Sequence, residues 1–412
     1  MFLSQIQTLE GNQGRGELRK NSIDASGFTI VRIDPNKGEP LSSTRYFAVD
    51  FAHPLNISGG ISNILPGYPI TKSIRRLADI EPLAVKVPKE INPQSFKAAE
   101  KDALYTPLLI EGAFSCIAKN THFVFMPYFQ NAVSLAEVVE RFHTPPQCRQ
   151  IPFTLRFKFF AQIVEQLCRL HAKGIAHCDI KPANVLLLYT MVNGYMVFED
   201  AQLIDPGIAQ HLKTKDPRER HALDHICGSN SYIAPEVWSK TYALNSDMPG
   251  LFAVAAMLFG SINTLALKKQ ISKPCPEYFI AGYGTKRMFQ KYDIPKIMIE
   301  QGQALLMLFQ EILLTMKKVN IDKRASSFQM YACCRIIETL WKGRRKTTEV
   351  TKLQAIQADI SQGVESKRGP SERQLSIGLS QLSPFKRKPD VIDAALKNPH
   401  LSAKENQSRH CA

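Results

Sequence analysis

The sequence has no apolar run long enough to cross a membrane, and the longest, residues 251–259, suits a buried helix. Its nine cysteines follow no repeated or metal-type spacing, which argues against a disulfide scaffold and favours a reducing compartment. The N-terminus lacks the basic, apolar and small-residue order of a signal peptide. These absences predict a globular, intracellular protein.

The composition is that of a folded globular protein, with 44% hydrophobic and 22% charged residues in a chain of 412. The net charge is +15, and residues 341–412 contribute +7 of it through 14 basic and 7 acidic side chains. A basic tail can contact nucleic acid or anionic lipid, although a solvated, flexible chain is the simpler interpretation. We expect no nucleic-acid partner, and a membrane contact of the tail stays open. The sequence does not indicate an oligomeric state.

The stretch from His177 to Asn184 reads His-Cys-Asp-Ile-Lys-Pro-Ala-Asn and runs directly into the apolar residues 185–188. It brings an acid, a base and a carboxamide together ahead of a buried strand. The pattern resembles the catalytic loop of eukaryotic-type protein kinases, with Asp179, Lys181 and Asn184 at the family's Asp, Lys and Asn. If the resemblance holds, the other parts of a kinase must follow in order along the chain.

A strand-like run from Leu83 to Val87 resembles the kinase strand Val-Ala-Ile-Lys. The resemblance makes Lys86 the cation that binds the ATP phosphates, while the small Ala84 leaves room for the adenine ring.

Residues 88–109 predict a helix whose apolar side comprises Phe96, Ala99, Ala103 and Leu104. In kinases a glutamate of this helix holds the strand lysine in position, and Glu100 is the expected partner of Lys86. Glu111 is the competitor, but it follows the helix.

The glycine-rich loop is the poorest match. Residues 57–64 read Ile-Ser-Gly-Gly-Ile-Ser-Asn-Ile, which places Gly59 and Gly60 where backbone N–H groups would approach the phosphates. Ile64 then takes the place of the family's valine, and its distance from Lys86 implies an insertion. An ordinary Gly-Gly turn is the alternative.

Residues 121–125 predict a strand, and the Met126-Pro127-Tyr128-Phe129 that follows resembles the hinge between kinase lobes. Met126 would then lie at the back of the adenine pocket, and Tyr128 is also assigned to the nucleotide site. The periodic apolar residues of 153–171 predict the helix that precedes the catalytic loop.

Two motifs follow the catalytic loop. Asn193-Gly194 predicts a hairpin turn, after which Asp205-Pro206-Gly207 occupies the place of the family's Asp-Phe-Gly. Residues 228–236 resemble the end of the activation segment, Gly-Thr-x-x-Tyr-x-Ala-Pro-Glu, with Ser229 for the threonine.

The resemblance continues towards the C-terminus. Residues 322–326 resemble the motif whose arginine pairs with the glutamate of Ala-Pro-Glu, which predicts a buried Glu236–Arg324 ion pair. Asp247 stands where the family has an aspartate before a buried helix. Phe252 replaces the glycine usual in that helix, with Gly250 nearby.

These matches imply a serine/threonine protein kinase that uses ATP with Mg²⁺ or Mn²⁺ on a protein substrate. Asp179 would accept the proton of the substrate hydroxyl, and Lys181 would steady the transferring phosphoryl group. Asn184 and Asp205 would hold the metal, and Lys86 the phosphates.

Two departures from the family pattern change the expectations. Cys178 replaces the arginine that pairs with a phosphorylated activation segment in many members, so we expect activity without that phosphorylation. A small buried filler is the expected role of its thiol, with a reactive thiol as the alternative. Pro206 replaces phenylalanine, which predicts a stiffer backbone beside Asp205.

The predicted fold class is α+β with a two-lobed, protein-kinase-like architecture. Residues 1–44 would form an extension, 45–126 a small β-rich N-lobe with one main helix, and 127–345 the hinge and a mostly helical C-lobe. Residues 346–412 would form a largely flexible basic tail, with a helix at 351–360.

Three alternatives stay open. A pseudokinase acting as a nucleotide-binding scaffold fits the weak glycine-rich loop and the two departures. A small-molecule kinase shares the catalytic Asp and Asn, but would not be expected to carry Lys181 or the 228–236 motif. A basic nucleic-acid-binding protein has only net charge in its favour. The resemblance is compatible with a cytosolic enzyme and with a bacterial effector delivered into a host cell.

Overall fold

The computed structural model describes residues 28–33, 45–55, 62–70, 81–89, 92–118, 121–141, 151–259, 308–341 and 346–363. They belong to two units. The first unit comprises the described residues up to 107 together with 112–128, and the second comprises 108–111 and the described residues from 129 onward. The first is a sheet with one main helix, and the second is mostly helical, so the predicted α+β, two-lobed class is confirmed.

Six strands form the sheet of the first unit: β1 (Phe28–Ile33), β2 (Arg45–Asp50), β3 (Ser62–Ile70), β4 (Leu83–Pro88), β5 (Phe114–Ala118) and β6 (Thr121–Pro127). They pair antiparallel in the order β1-β2-β3-β4-β6-β5. Alternate side chains form an apolar core that includes Phe47, Phe123 and Phe125. Residues 28–33, assigned by sequence to an extension, thus pair with β2 as the first strand.

The main helix of the first unit, α1 (Pro93–Leu109), buries a face that matches the predicted one only at Ala99 and Ala103. It begins after Asn92, whose Oδ1 accepts a hydrogen bond from the N–H of Ser95 at 2.8 Å. Its buried positions recur at intervals of three and four: Ser95, Ala99, Asp102, Ala103 and Thr106. Phe96 and Leu104 are 41% and 58% exposed, so their assignment to the apolar side was wrong.

The second unit contains six α-helices or α-helical stretches and seven strands among its described residues. The helices are α2 (Leu135–Arg141), α3 (Phe153–Ala172), α4 (Met248–Phe259), a stretch at 308–315, α5 (Ser327–Trp341) and α6 (Lys346–Gln362). The strands are β7 (Ala132–Ser134), β8 (Ile175–Ala176), β9 (Val185–Val192), β10 (Tyr195–Leu203), β11 (Gln210–His211), β12 (His221–Ala222) and β13 (Thr241–Tyr242).

Helix α3 lies at the centre of the second unit, because it packs on α4, α5 and β10 at once. Its aromatic side chains meet those of α4 and the 308–315 helix in a cluster that comprises Phe153, Phe157, Phe160, Phe259 and Phe309. Helix α4 is apolar around its whole circumference and is almost fully buried. Only a short connection and β8 separate α3 from the catalytic-loop stretch, so the core fixes where that stretch begins.

Helix α6 extends the second unit into the region that the sequence assigned to a flexible tail. It is longer than the helix predicted at 351–360 and buries Leu353, Ile356 and Ile360. Lys323 donates a hydrogen bond to the carbonyl of Ser361 near the end of α6. None of the helices in the described residues is both long and apolar enough to cross a membrane.

Candidate active site

One buried carboxylate, that of Asp247, fixes the backbone of the catalytic-loop stretch. It accepts hydrogen bonds from the N–H groups of His177 at 2.7 Å and Cys178 at 2.8 Å. The Tyr242 hydroxyl donates to it at 2.7 Å, and His171 Nε2 lies 3.0 Å away. Burial raises the pKa of Asp247, but its hydrogen bonds, with His171 first, outweigh burial and hold that pKa below its usual value. The ionised carboxylate thus holds Cys178 at its left-handed φ of 67°.

The His177 ring connects the catalytic loop to the backbone just before Asp205. It is fully buried, and burial lowers its pKa. Its Nε2 lies 3.1 Å from the carbonyl oxygen of Ile204, and the N–H of Asp179 donates to its Nδ1 at 3.3 Å. Both contacts fit a neutral ring with the proton on Nε2.

Asp179 lies at the centre of the hydrogen bonds of the site. Lys181 Nζ donates to its Oδ2 at 2.6 Å, and Ser229 Oγ donates to its Oδ1 at 2.7 Å. Lys181 Nζ also lies 2.8 Å from Ser229 Oγ, which closes a triangle. Asn184 Nδ2 donates to the carbonyl and to Oδ2 of Asp179 at 2.9 and 3.0 Å. The catalytic loop and the activation segment therefore converge on one carboxylate.

The two residues assigned to a metal lie on neighbouring pieces of chain. Asn184 ends the 3₁₀ turn Pro182–Asn184, and its carbonyl accepts a hydrogen bond from the N–H of Ile204 at 3.0 Å. Asp205 comes next, exposed and with a left-handed φ of 65°, while Pro206 is buried. The Asn184 amide donates through Nδ2, which leaves its Oδ1 for a cation. A carboxylate and an amide oxygen are the kind of donor set that Mg²⁺ prefers, so these residues fit the ion.

Helix α4 packs directly on the catalytic loop at Gly250. A Cβ built at this position would lie 2.3 Å from the carbonyl oxygen of Ile180, so any side chain would force the two elements apart. Phe252, where the family usually has glycine, is fully buried. Gly250, and not residue 252, therefore allows α4 to lie close to the catalytic loop.

Cys178 belongs to an apolar cluster beside the activation segment. The other buried members are Ala176, Leu212, Cys227, Ile233, Ala234, Val237, Tyr242 and Leu244. Burial raises the pKa of the Cys178 thiol well above its ordinary value, so the thiolate needed for reactivity is disfavoured. These contacts match the small buried filler rather than the reactive thiol.

The predicted Glu236–Arg324 ion pair is confirmed. The fully buried guanidinium of Arg324 binds the Glu236 carboxylate through two hydrogen bonds, of 2.7 and 2.9 Å. Its other N–H groups donate to the carbonyls of Lys318, Val319 and Asn245. Burial acts to raise the pKa of Glu236, but the bonds from Arg324 and Ser246 hold it below its ordinary value.

In the first unit, Lys86 pairs with Asp102 and not with the predicted Glu100. Lys86 Nζ lies 2.7 Å from Asp102 Oδ2, and these side chains are only 14% and 3% exposed. Glu100 is exposed because two residues along a helix turn the side chain by about 200° to the opposite face. The assignment of Glu100 was therefore wrong.

The residues assigned to the adenine site meet across two strands. Ala84 lies opposite Met126 in the β4–β6 pair, and Ala84 is buried. Tyr128 follows β6 and is half-buried. Ile64 lies opposite Lys86 in the β3–β4 pair, and the β2–β3 connection precedes it. Gly59 and Gly60, assigned to the phosphate loop, lie outside the described residues.

The family model described as "Protein kinase domain" matches residues 106–336, more than half of the chain. The chain belongs to the protein kinase family. The matched residues contain the Asp179 cluster, Asp205 and the Glu236–Arg324 pair. Lys86 and Asp102 precede them, so for this protein kinase the phosphate-binding assignment depends on the geometry of the first unit.

The chain is similar to serine/threonine-protein kinases over short stretches. It is 38% identical over 85 residues to serine/threonine-protein kinase grp of Drosophila melanogaster, covering 21% of this chain and 15% of that protein. It is 34% identical over 102 residues to serine/threonine-protein kinase CHK1 of Saccharomyces cerevisiae, covering 24% and 18%. It is 29% identical over 161 residues to serine/threonine-protein kinase PLK4 of Danio rerio, covering 37% of this chain and 16% of that protein. The matches span less than a fifth of each relative's length.

Sequence reasoning missed Asp102 in this protein kinase, although a signal was present. Ser95, Ala99, Asp102 and Thr106 recur at the spacing of one helix face, and all four are small or polar and buried. The search for an apolar face selected the neighbouring stripe through Phe96 and Leu104 instead. Glu100 lies on that exposed stripe.

Proposed function

We propose that this chain transfers the γ-phosphoryl group of ATP to serine or threonine hydroxyls of a protein substrate. The observation that carries the proposal is the convergence of Lys181, Ser229 and Asn184 on the carboxylate of Asp179, with distances of 2.6 to 3.0 Å. Phosphoryl transfer needs a positioned acceptor and neutralised charge more than covalent help, and this cluster supplies groups for both. Lys181 is the residue that marks serine/threonine kinases within the family pattern.

Each side chain has one role in the proposed reaction. Asp179 accepts a hydrogen bond from the substrate hydroxyl and takes its proton, while Ser229 and Asn184 orient the carboxylate. Lys181 offers its charge to the transferring phosphoryl oxygens. Asn184 and Asp205 would hold Mg²⁺ or Mn²⁺, which supplies further charge neutralisation when bound. Lys86, held by Asp102, binds the nucleotide phosphates.

Transfer of label from [γ-³²P]ATP tests this function. The purified chain, with Mg²⁺ or Mn²⁺, is offered a mixture of proteins in one reaction and a mixture of small polyols in another. Phosphoserine or phosphothreonine in acid hydrolysates of the proteins, with no label on the polyols, is the expected result. Label on a small polyol and on no protein would favour a small-molecule kinase.

The nucleotide site predicts different outcomes for two neighbouring carboxylates. Asp102→Asn removes the charge that holds Lys86, and we expect the KM for ATP to rise about 10-fold or more, the value of one charge-assisted hydrogen bond. Glu100→Gln is the matched control on the exposed face of α1 and should change the KM by less than about 2-fold. Steady-state kinetics with varied ATP measures both. An unchanged KM in Asp102→Asn together with a raised KM in Glu100→Gln would make Glu100 the functional partner of Lys86.

Activity is proposed not to require phosphorylation of the activation segment. Cys178 occupies the position of the missing arginine and lies within an apolar cluster, so this position offers no cation that could bind a phosphate group. Thr214 and Ser229 are the two hydroxyls of the segment at which phosphorylation is considered. Ser229 already donates to Asp179 and Thr214 to Glu219, so a phosphate at either position would repel a carboxylate. Phosphatase treatment or Thr214→Ala should change kcat/KM by less than about 3-fold. A rise of more than about 10-fold on phosphorylating Thr214 would contradict this.

A further inference from the structure

The hairpin of β9 and β10 extends beyond β7, the third strand of its sheet. Asn193 and Gly194 form its two-residue turn, both with positive φ (52° and 80°), as in the type I′ turns of tight hairpins. The neighbouring strand β7 pairs with Leu186–Leu188 only. We define the tip as residues 189–198. Because the strand order is β10-β9-β7, β10 is an edge strand of this sheet.

Among the described residues, the outer edge of β10 is covered at its base and has no strand paired with it at its tip. Side chains of α3 reach the backbone of the base: Gln162 accepts from the N–H of Ala201, Gln166 accepts from that of Leu203, and Lys158 donates to the carbonyl of Glu199. Val192 and Tyr195 close the turn as a hydrogen-bonded pair, and such pairs alternate along an antiparallel ladder. The N–H and C=O groups of Met196 and Phe198 consequently point away from β9.

Four apolar side chains of the tip are exposed. Met191 is 54% exposed, Val192 48%, and Tyr195 and Val197 40% each. Residues 185–198 contain no charged side chain, in a chain whose net charge is +15. Edge strands of soluble proteins are normally protected by lysine, proline or a bulge. Here the first such device is the bulge at Glu199, beyond the tip.

We propose that the tip is the interface with a second copy of this chain, through antiparallel pairing of β10 with its counterpart. Met196 of each copy would pair with Phe198 of the other, because these residues carry the outward N–H and C=O groups. Val197 then lies on the two-fold axis opposite Val197 of the second copy. That pair is of the non-hydrogen-bonded kind, in which side chains approach most closely.

Charge favours a second copy as the occupant. In a two-fold interface each patch meets itself, so a patch with charges of one sign repels its copy, whereas the uncharged tip does not. The rest of a chain with a net charge of +15 is less suited to self-association. The pairing also keeps Glu199 of one copy opposite Tyr195 of the other, and not opposite a second carboxylate.

Sedimentation velocity over a range of concentrations tests the pairing. Wild type should show a concentration-dependent dimer. Val197→Lys and Val197→Glu should each weaken it about 10-fold or more, because like charges then face each other across the axis. An equimolar mixture of the two variants should restore dimers to within about 3-fold of wild type, since lysine then faces glutamate. Val319→Lys is the control, because Val319 is 60% exposed in the second unit but outside the hairpin.

The experiment contains its own checks. Melting curves establish that each variant is folded, and Tyr195→Glu, which places a carboxylate opposite Glu199 of the second copy, replaces any that is not. A wild type that stays monomeric at about 100 µM would overturn the proposal. So would dimers that Val197→Lys and Val319→Lys weaken equally, or a mixture that restores nothing. Binding of wild type to anionic vesicles, lost in Val197→Lys while its dimer persists, would assign the tip to a membrane instead.

Discussion

Replacing Arg324 with leucine lowers the free energy of unfolding of the second unit by about 3–5 kcal/mol, because it leaves the Glu236 carboxylate buried without its partner. Arg324 donates to that carboxylate twice and also to three carbonyls, all of which lose their donor together. Urea unfolding followed by tryptophan fluorescence measures the loss, since both tryptophans of the chain, at positions 238 and 341, belong to this unit.

The pH dependence of this loss has a defined sign. The folded-state pKa of Glu236 lies below its ordinary value, so the pair contributes stability above the unfolded pKa and loses it as pH falls through the folded one. The difference between wild type and Arg324→Leu should be fully present above about pH 5 and shrink below about pH 4. Arg335→Leu is the control, because the Arg335–Glu338 pair is partly exposed and should cost less than about 1 kcal/mol. Equal losses in the two variants would contradict the account.

Asp179→Asn should lower kcat by about 10²–10⁴-fold, because the amide can neither accept the substrate proton nor balance the Lys181 charge. The carboxamide has nearly the same shape, so the fold and the affinity for ATP should change little. Turnover with label from ATP and nucleotide affinity by calorimetry separate these effects.

Asp224→Asn is the matched control for Asp179→Asn, since Asp224 is exposed on the activation segment, which contacts Asp179 through Ser229. It should retain kcat within about 2-fold. Full activity of Asp179→Asn would remove Asp179 from the proposed mechanism, and an equal loss in both variants would point to damage of the segment.

Two parts of the site could be predicted from the sequence: residues that lie close together in one loop, and residues that belong to specific motifs. Asp179, Lys181 and Asn184 fall within one loop that resembles the family's catalytic loop, and their polar groups do meet in the structure. The Glu236–Arg324 pair joins residues far apart in sequence, and it was predicted because both ends carry specific motifs.

The partner of Lys86 could not be fixed in this way. It depends on the rotation of α1 about its axis, and a change of two residues moves a carboxylate from the buried face to the exposed one. The small and polar buried face of α1 gave a weaker signal than Phe96 and Leu104, although those two are exposed.

Tertiary packing also determined features that composition concealed. Helix α6 has many polar residues, and its composition predicted a flexible tail. Three of its apolar side chains are nevertheless buried, at intervals of three and four residues, and hold it in the second unit. Gly250 gives no sequence signal of its own, and its role depends on the approach of Ile180.

The most direct test of the central claim is to measure ATP affinity and phosphoryl transfer on one preparation of the wild-type chain. We predict ATP binding, together with transfer to protein serine or threonine that Asp179→Asn abolishes without loss of binding. Binding with no transfer under any divalent cation would contradict it and make the chain a nucleotide-binding scaffold.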